Sequence, residues 1–209
     1  EISLRPGISI RGGYLAADWS RNIAVNVTTI QAPIDMAIKG GPTVTGAYTS
    51  TTWVEGFTIQ GAANTISYGL FLSNSSPTIS NNIISGGAVT AGGSSYGIYC
   101  NTSTPVISNN TITGGSASGG SATSYGIFNT SSSPTISGNT ISGGSGNSSR
   151  GIANTASSPT LTNNTISGGT VPSGSPRLGR RVLVRRPLLL PALRRRRGSF
   201  PLRADRKST

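Results

Sequence analysis

Between Gly69 and Gly169, branched apolar residues recur singly at fixed offsets in a background of Ser, Thr, Gly and Asn. Gly69, Gly97, Gly126 and Gly151 each stand eight residues before a proline (Pro77, Pro105, Pro134, Pro159). Two residues after each proline comes Ile79, Ile107, Ile136 or Leu161, and five after it Asn82, Asn110, Asn139 or Asn164. Seven after it comes Ile84, Ile112, Ile141 or Ile166, followed by a Gly-Gly pair. Apolar and polar positions alternate with period two, the strand pattern, and no segment shows the i, i+3, i+4, i+7 spacing of a helix. The repeat therefore predicts coils of three short strands, here Gly-Ile-Phe, Pro-Thr-Ile-Ser and Asn-Thr-Ile-Ser. Proline suits the first residue of a strand, where no ladder donor is required.

One such coil cannot bury its own isoleucines, so the units must stack, at about 4.8 Å per rung, around a shared interior. Three inner columns follow: Ile79, Ile107, Ile136, Leu161; Ile84, Ile112, Ile141, Ile166; and Leu70, Ile98, Ile127, Ile152. The residue before the fixed asparagine is Asn81, Asn109, Gly138 or Asn163. Asn and Gly exchange where φ is positive, so a one-residue left-handed bend is expected there. The asparagines at +5 are expected to stack as a hydrogen-bonded amide ladder. All length variation falls in residues 88–96, 116–125 and 145–150. Insertions confined to one joint mark a solenoid whose loops lie on one face.

This pattern resembles the right-handed parallel β-helix of pectin-lyase-like folds, in particular bacterial repeat proteins with Ser-Pro-x-Ile-x-x-Asn-x-Ile coils. The resemblance implies an all-β, right-handed parallel β-helix of about six coils, on a secreted or cell-surface bacterial protein. Residues 1–55 are expected to form irregular coils of the same solenoid and residues 56–176 the regular repeats. In the first part, Ile2–Leu4 and Ile8–Ile10 read as strands around an Arg5-Pro-Gly7 turn. Val25–Ile30, Met36–Ile38, Val44 and Trp53–Ile59 read as further strands. Gly12-Gly13-Tyr14 opens a longer loop, with Trp19 as a lid on the core.

Charge changes the picture only at the end. The formal net charge is +12. Residues 1–176 hold five basic residues against four acids, whereas residues 177–209 hold twelve against one. That tail is built from Arg, Leu and Pro, without Ile or Asn. It is expected to be unstructured, and its abrupt change of vocabulary is what a shifted reading frame in a GC-rich gene would produce. A basic arm for nucleic acid or anionic lipid is the competing reading; no specific nucleic-acid partner is expected. Its Leu188–Leu190 run is far too short to span a bilayer. The chain opens at Glu1 in a strand-like run, as an excised fragment would.

Candidate chemistry is sparse. Between Gly56 and Pro176 there is no Asp, Glu, Lys or His. General acid–base catalysis has no carrier there and metal binding no ligand set, so no catalytic residue, metal or cofactor is expected. Asp18, Asp35 and Glu55 fall singly in separate coils. The lone Cys100 takes the place of Leu72 one coil earlier and reads as a small buried apolar residue.

Two aromatic series remain. Tyr68, Tyr96 and Tyr125 precede the opening glycine, and Phe71, Tyr99 and Phe128 follow it by two. Alternation turns Phe71, Tyr99 and Phe128 outward, where stacked rings could take up sugar, or could simply stack on each other. The rows from Thr78, Val106, Thr135 and Thr160 form a hydroxyl face resembling ice-binding surfaces, although ordinary strand propensity yields the same residues. The expected role is a non-catalytic structural or adhesive module. The alternative is a carbohydrate-binding or polysaccharide-degrading β-helix whose active coils lie elsewhere.

Overall fold

The computed structural model describes residues 1–40 and 51–171, together with the strand Val182–Val184. Val44 and the rest of the Arg/Leu/Pro tail lie outside the described residues. Three parallel sheets wrap one interior, each with six rungs, hence five turns from first rung to last. The first sheet stacks Ile2–Ser3, Met36–Gly40, Asn64–Ser73, Ala88–Asn101, Thr123–Thr130 and Ser148–Thr155. The second stacks Ile10–Arg11, Trp53–Glu55, Thr78–Ser80, Val106–Ser108, Thr135–Ser137 and Thr160–Thr162. The third stacks Thr28–Gln31, Phe57–Gln60, Ile83–Ser85, Thr111–Thr113, Thr140–Ser142 and Asn164–Ser167. No helix occurs among the described residues.

The three inner columns form as the repeat requires. Ile107 pairs in register with Ile79 and Ile136, Ile112 with Ile84 and Ile141, and Ile98 with Leu70 and Ile127. All nine are at most 1% exposed. Burying an isoleucine in this way contributes about 2 kcal/mol. At the last rung, Ile152 and Leu161 are only half-buried.

Buried polar ladders hold the corners. Asn82 donates its side-chain amide to Asn110 Oδ1, Asn110 to Asn139 and Asn139 to Asn164, each at 3.0 Å. Each acceptor oxygen also receives the backbone N–H of the asparagine one rung earlier, at 2.8–2.9 Å. The amide's second donor reaches back to a carbonyl, such as Ile79 O from Asn110 at 2.9 Å. The ladder starts at Phe57, whose N–H donates to Asn82 Oδ1 at 3.0 Å. Immediately before the ladder, Asn81, Asn109, Gly138 and Asn163 have φ of 55°, 56°, 67° and 54°, the expected left-handed bend.

Two serine ladders complete the set. Ser75, Ser103, Ser132 and Ser157 each lie two residues before the proline. Ser75 N–H donates to Ser103 Oγ at 3.1 Å, Ser103 to Ser132 at 3.0 Å and Ser132 to Ser157 at 2.9 Å. Ser67, Ser95, Ser124 and Ser149, two before the opening glycine, are wholly buried. They bond to the Gly-Gly corner: Gly87 N–H donates to Ser67 Oγ, and Ser95 Oγ donates to Gly87 O, both at 2.8 Å.

Several expectations need correcting. Trp53–Ile59 is not one strand but two, Trp53–Glu55 and Phe57–Gln60, turned at Gly56, where φ is 79°. The strand expected over Val25–Ile30 begins only at Thr28, and Val25 and Val27 are exposed. Trp19 is 77% exposed and does not lid the core. Beyond the last coil, Val182–Val184 pair antiparallel with the strand Asn164–Ser167. The open edge of the third sheet supplies the unpaired backbone groups for that strand.

Candidate functional site

Among the described residues, the outward face of the first sheet carries the one large cluster of aromatic side chains. A straight strand would turn residues three apart to opposite sides. Tyr96 and Tyr99 nevertheless point the same way, because the strand bends at Gly97. A Cβ at Gly97 would lie 2.7 Å from the carbonyl oxygens of both Gly126 and Thr113. Gly97 thus faces inward as Ile98 does, and two consecutive inward positions leave both flanking residues outside. The same bend at Gly69 and Gly126 brings Tyr68, Tyr96 and Tyr125 beside Phe71, Tyr99 and Phe128.

Each series stacks along the solenoid axis. Tyr68–Tyr96 and Tyr96–Tyr125 have centroids 5.1 and 5.4 Å apart and planes 9° and 12° from parallel. Phe71–Tyr99 and Tyr99–Phe128 are both at 5.4 Å, at 12° and 13°. Across the series the rings meet edge to face, as in Tyr96–Tyr99 at 5.2 Å and 87°. Offset stacks and edge contacts of this kind add about 0.5–1.5 kcal/mol per pair beyond burial. The faces of Phe71, Tyr99 and Phe128 therefore lie against one another along the axis, and their edges point outward. Burial, then the neighbouring Tyr96 and Tyr99 phenols and Asp35, push the Tyr68 hydroxyl up to about 12. Burial also raises Tyr96.

The rings end at defined neighbours. Met36 and Lys39 pair in register with Tyr68 and Phe71 on the earlier rung, and Arg150 and Ala153 with Tyr125 and Phe128 on the later one. The Arg150 guanidinium lies 5.9 Å from the Tyr125 centroid. Near Met36 a cleft of about 210 Å³ is lined by Glu1, Pro33, Ile34, Asp35 and Met36.

The three singleton acids each have a local partner. Glu55 Oε2 forms ion pairs with Arg21 Nη2 at 3.1 Å and Arg11 Nε at 3.6 Å, and Glu55 Oε1 accepts Asn81 Nδ2 at 3.2 Å. Arg21 Nε also donates to Gly12 O at 3.1 Å, which ties the 12–27 loop to the coils. Asp35 accepts the Asn64 amide. The Ser20 N–H donates to Asp18 at 2.9 Å and holds that carboxyl below its ordinary value. Among the described residues no three of His, Cys, Asp and Glu gather as a metal site would require. Cys100 is wholly buried, and burial pushes its thiol up to about 12.

The hydroxyl rows of the second sheet are uneven. Thr78 and Ser80 are buried, Val106 interrupts the row, and Thr135 and Thr160 are exposed. The serine ladders were missed in the sequence, although their fixed offsets from proline and glycine were readable. No helix among the described residues is long and apolar enough to cross a membrane. No curated protein and no solved structure matches the chain. Residues 44–174 match the family described as the right handed beta helix region. With that match over more than half its length, and with three parallel sheets wound about one core, the chain belongs to the right-handed β-helix family.

Proposed function

We propose that this chain is a non-catalytic structural module of a secreted or cell-surface protein, a stiff rod that displays loops and one aromatic face. The observation that carries this reading is the contrast between inside and outside. Inside, the repeat side chains are committed to apolar columns and amide or serine ladders. Outside, the 121 residues from Gly56 to Pro176 offer no carboxylate, imidazole or amine to move a proton. Of the four acids that precede them, Glu55 is held by Arg11 and Arg21, Asp35 by Asn64, Asp18 by Ser20 and Glu1 by Ser3.

A carbohydrate-binding role is the second reading, in which a sugar would meet the outward edges of Phe71, Tyr99 and Phe128, since their faces stack on one another. A glycan array with the wild-type chain, alongside a polysaccharide turnover assay, separates the two. The rod reading expects neither binding nor turnover. Binding that disappears in both Tyr99→Ala and Phe128→Ala would replace it with the carbohydrate reading, and turnover would defeat it outright.

A further inference from the structure

We propose that the aromatic face of the first sheet docks a second copy of this chain, face to face and antiparallel, about a two-fold axis through the rung of Tyr96 and Tyr99. The proposal does not rest on the non-catalytic reading. It rests on the order of residues along the axis. One column runs Met36, Tyr68, Tyr96, Tyr125, Arg150, and the other Lys39, Phe71, Tyr99, Phe128, Ala153. The central rung has two tyrosines, and each rung beside it has one tyrosine and one phenylalanine. The pattern reads alike from either end through its middle three rungs, and a two-fold interface requires such self-complementarity.

The outer rungs supply charge and shape. At one end the Tyr column meets an acidic cleft containing Glu1 and Asp35, and at the other it ends in the exposed Arg150. In the antiparallel arrangement Arg150 of each copy faces that cleft of the other, with Ile34 and Met36 beside its stem. The long Lys39 then faces the small Ala153, where the ring column has stopped. Parallel packing would instead lay each column on the other, so that Arg150 faced Ala153, away from the acidic cleft, and Lys39 faced Met36. Five rungs of strands about eight residues long, bent at the glycine column, give a face of at most about 24 Å by about 25 Å, roughly 600 Å² per copy. That is at the lower end of what specific interfaces bury, so a reversible dimer of modest affinity is expected.

Sedimentation velocity on the full chain up to about 100 μM tests the association. A monomer–dimer equilibrium is expected, weakened at least tenfold by Arg150→Glu and restored by adding Asp35→Lys. Orientation is read from disulfide trapping, since the native Cys100 is buried and does not compete. Lys39→Cys and Ala153→Cys chains should cross-link when mixed and not when alone. Cross-linking of either variant with itself would overturn the antiparallel arrangement. A wild-type chain that stays monomeric, or that binds a glycan on these rings without dimerising, would overturn the proposal altogether.

Discussion

The coils before Gly56 and those after it have the same three-sheet rungs but are held by different means. After Gly56, two corners are held by a residue bonded to its own equivalent one rung away: Asn110 lies between Asn82 and Asn139, and Ser103 between Ser75 and Ser132. Before Gly56 that repetition is absent. Phe57 stands where the next asparagine would be, and a single carboxylate, Glu55, gathers Arg11, Arg21 and Asn81 at the junction. Exposed apolar side chains concentrate in this earlier part, including Ile8, Trp19, Val25, Val27 and Ile34. Repetition lets one residue choice satisfy every corner, whereas an irregular coil must solve each corner separately, with surface charge and loops.

The largest effect should come from breaking the ladder in its middle. Asn110→Ala removes the buried acceptor of both the Asn82 backbone N–H and the Asn82 side-chain amide, and the side-chain donor to the Ile79 carbonyl. At about 1–3 kcal/mol for each orphaned group, a loss of about 3 kcal/mol or more is expected. Denaturant unfolding measures it, and a loss below about 1 kcal/mol would mean the ladder is ornamental rather than structural.

Alkaline pH should weaken the regular array next. Cys100, Tyr68 and Tyr96 all have values raised by burial, so each favours its neutral form in the folded chain. Their stabilisation is complete below their unfolded values, near 9 for the thiol and 10 for the phenols, and fades as pH climbs towards about 12. The phenolate absorbance of Tyr68 and Tyr96, read as the difference from a chain with both changed to Phe, should rise together with the loss of the circular dichroism signal. A Tyr68 phenol that ionises near 10 while the fold persists would contradict its burial.

The smallest effect belongs to the junction. Arg11 is half-exposed, so Glu55→Gln is expected to cost only about 1 kcal/mol, with the loss confined to residues before Gly56. Hydrogen exchange would show faster opening of the 12–27 loop and unchanged protection at Ile107. Equal loosening of both regions would erase the distinction between them.

What could be read from the residues alone was whatever repeats. The three Ile columns, the amide ladder and the left-handed bend at Asn81, Asn109, Gly138 and Asn163 all recur at constant offsets, and stacking identical coils turns a constant offset into a contact. Both serine ladders could have been read in the same way. The tertiary structure decided what depends on how the chain turns between strands. The bend at Gly97 gives two inward positions in succession, so both aromatic columns share one face, and period-two alternation cannot express that. Gly56 breaks an apparent strand, Trp19 faces solvent although its size suggests the core, and Val182–Val184 find the free edge of the third sheet. Hydrophobic pattern specifies which side chains must meet, whereas the bends and edges of the backbone specify which face they meet on.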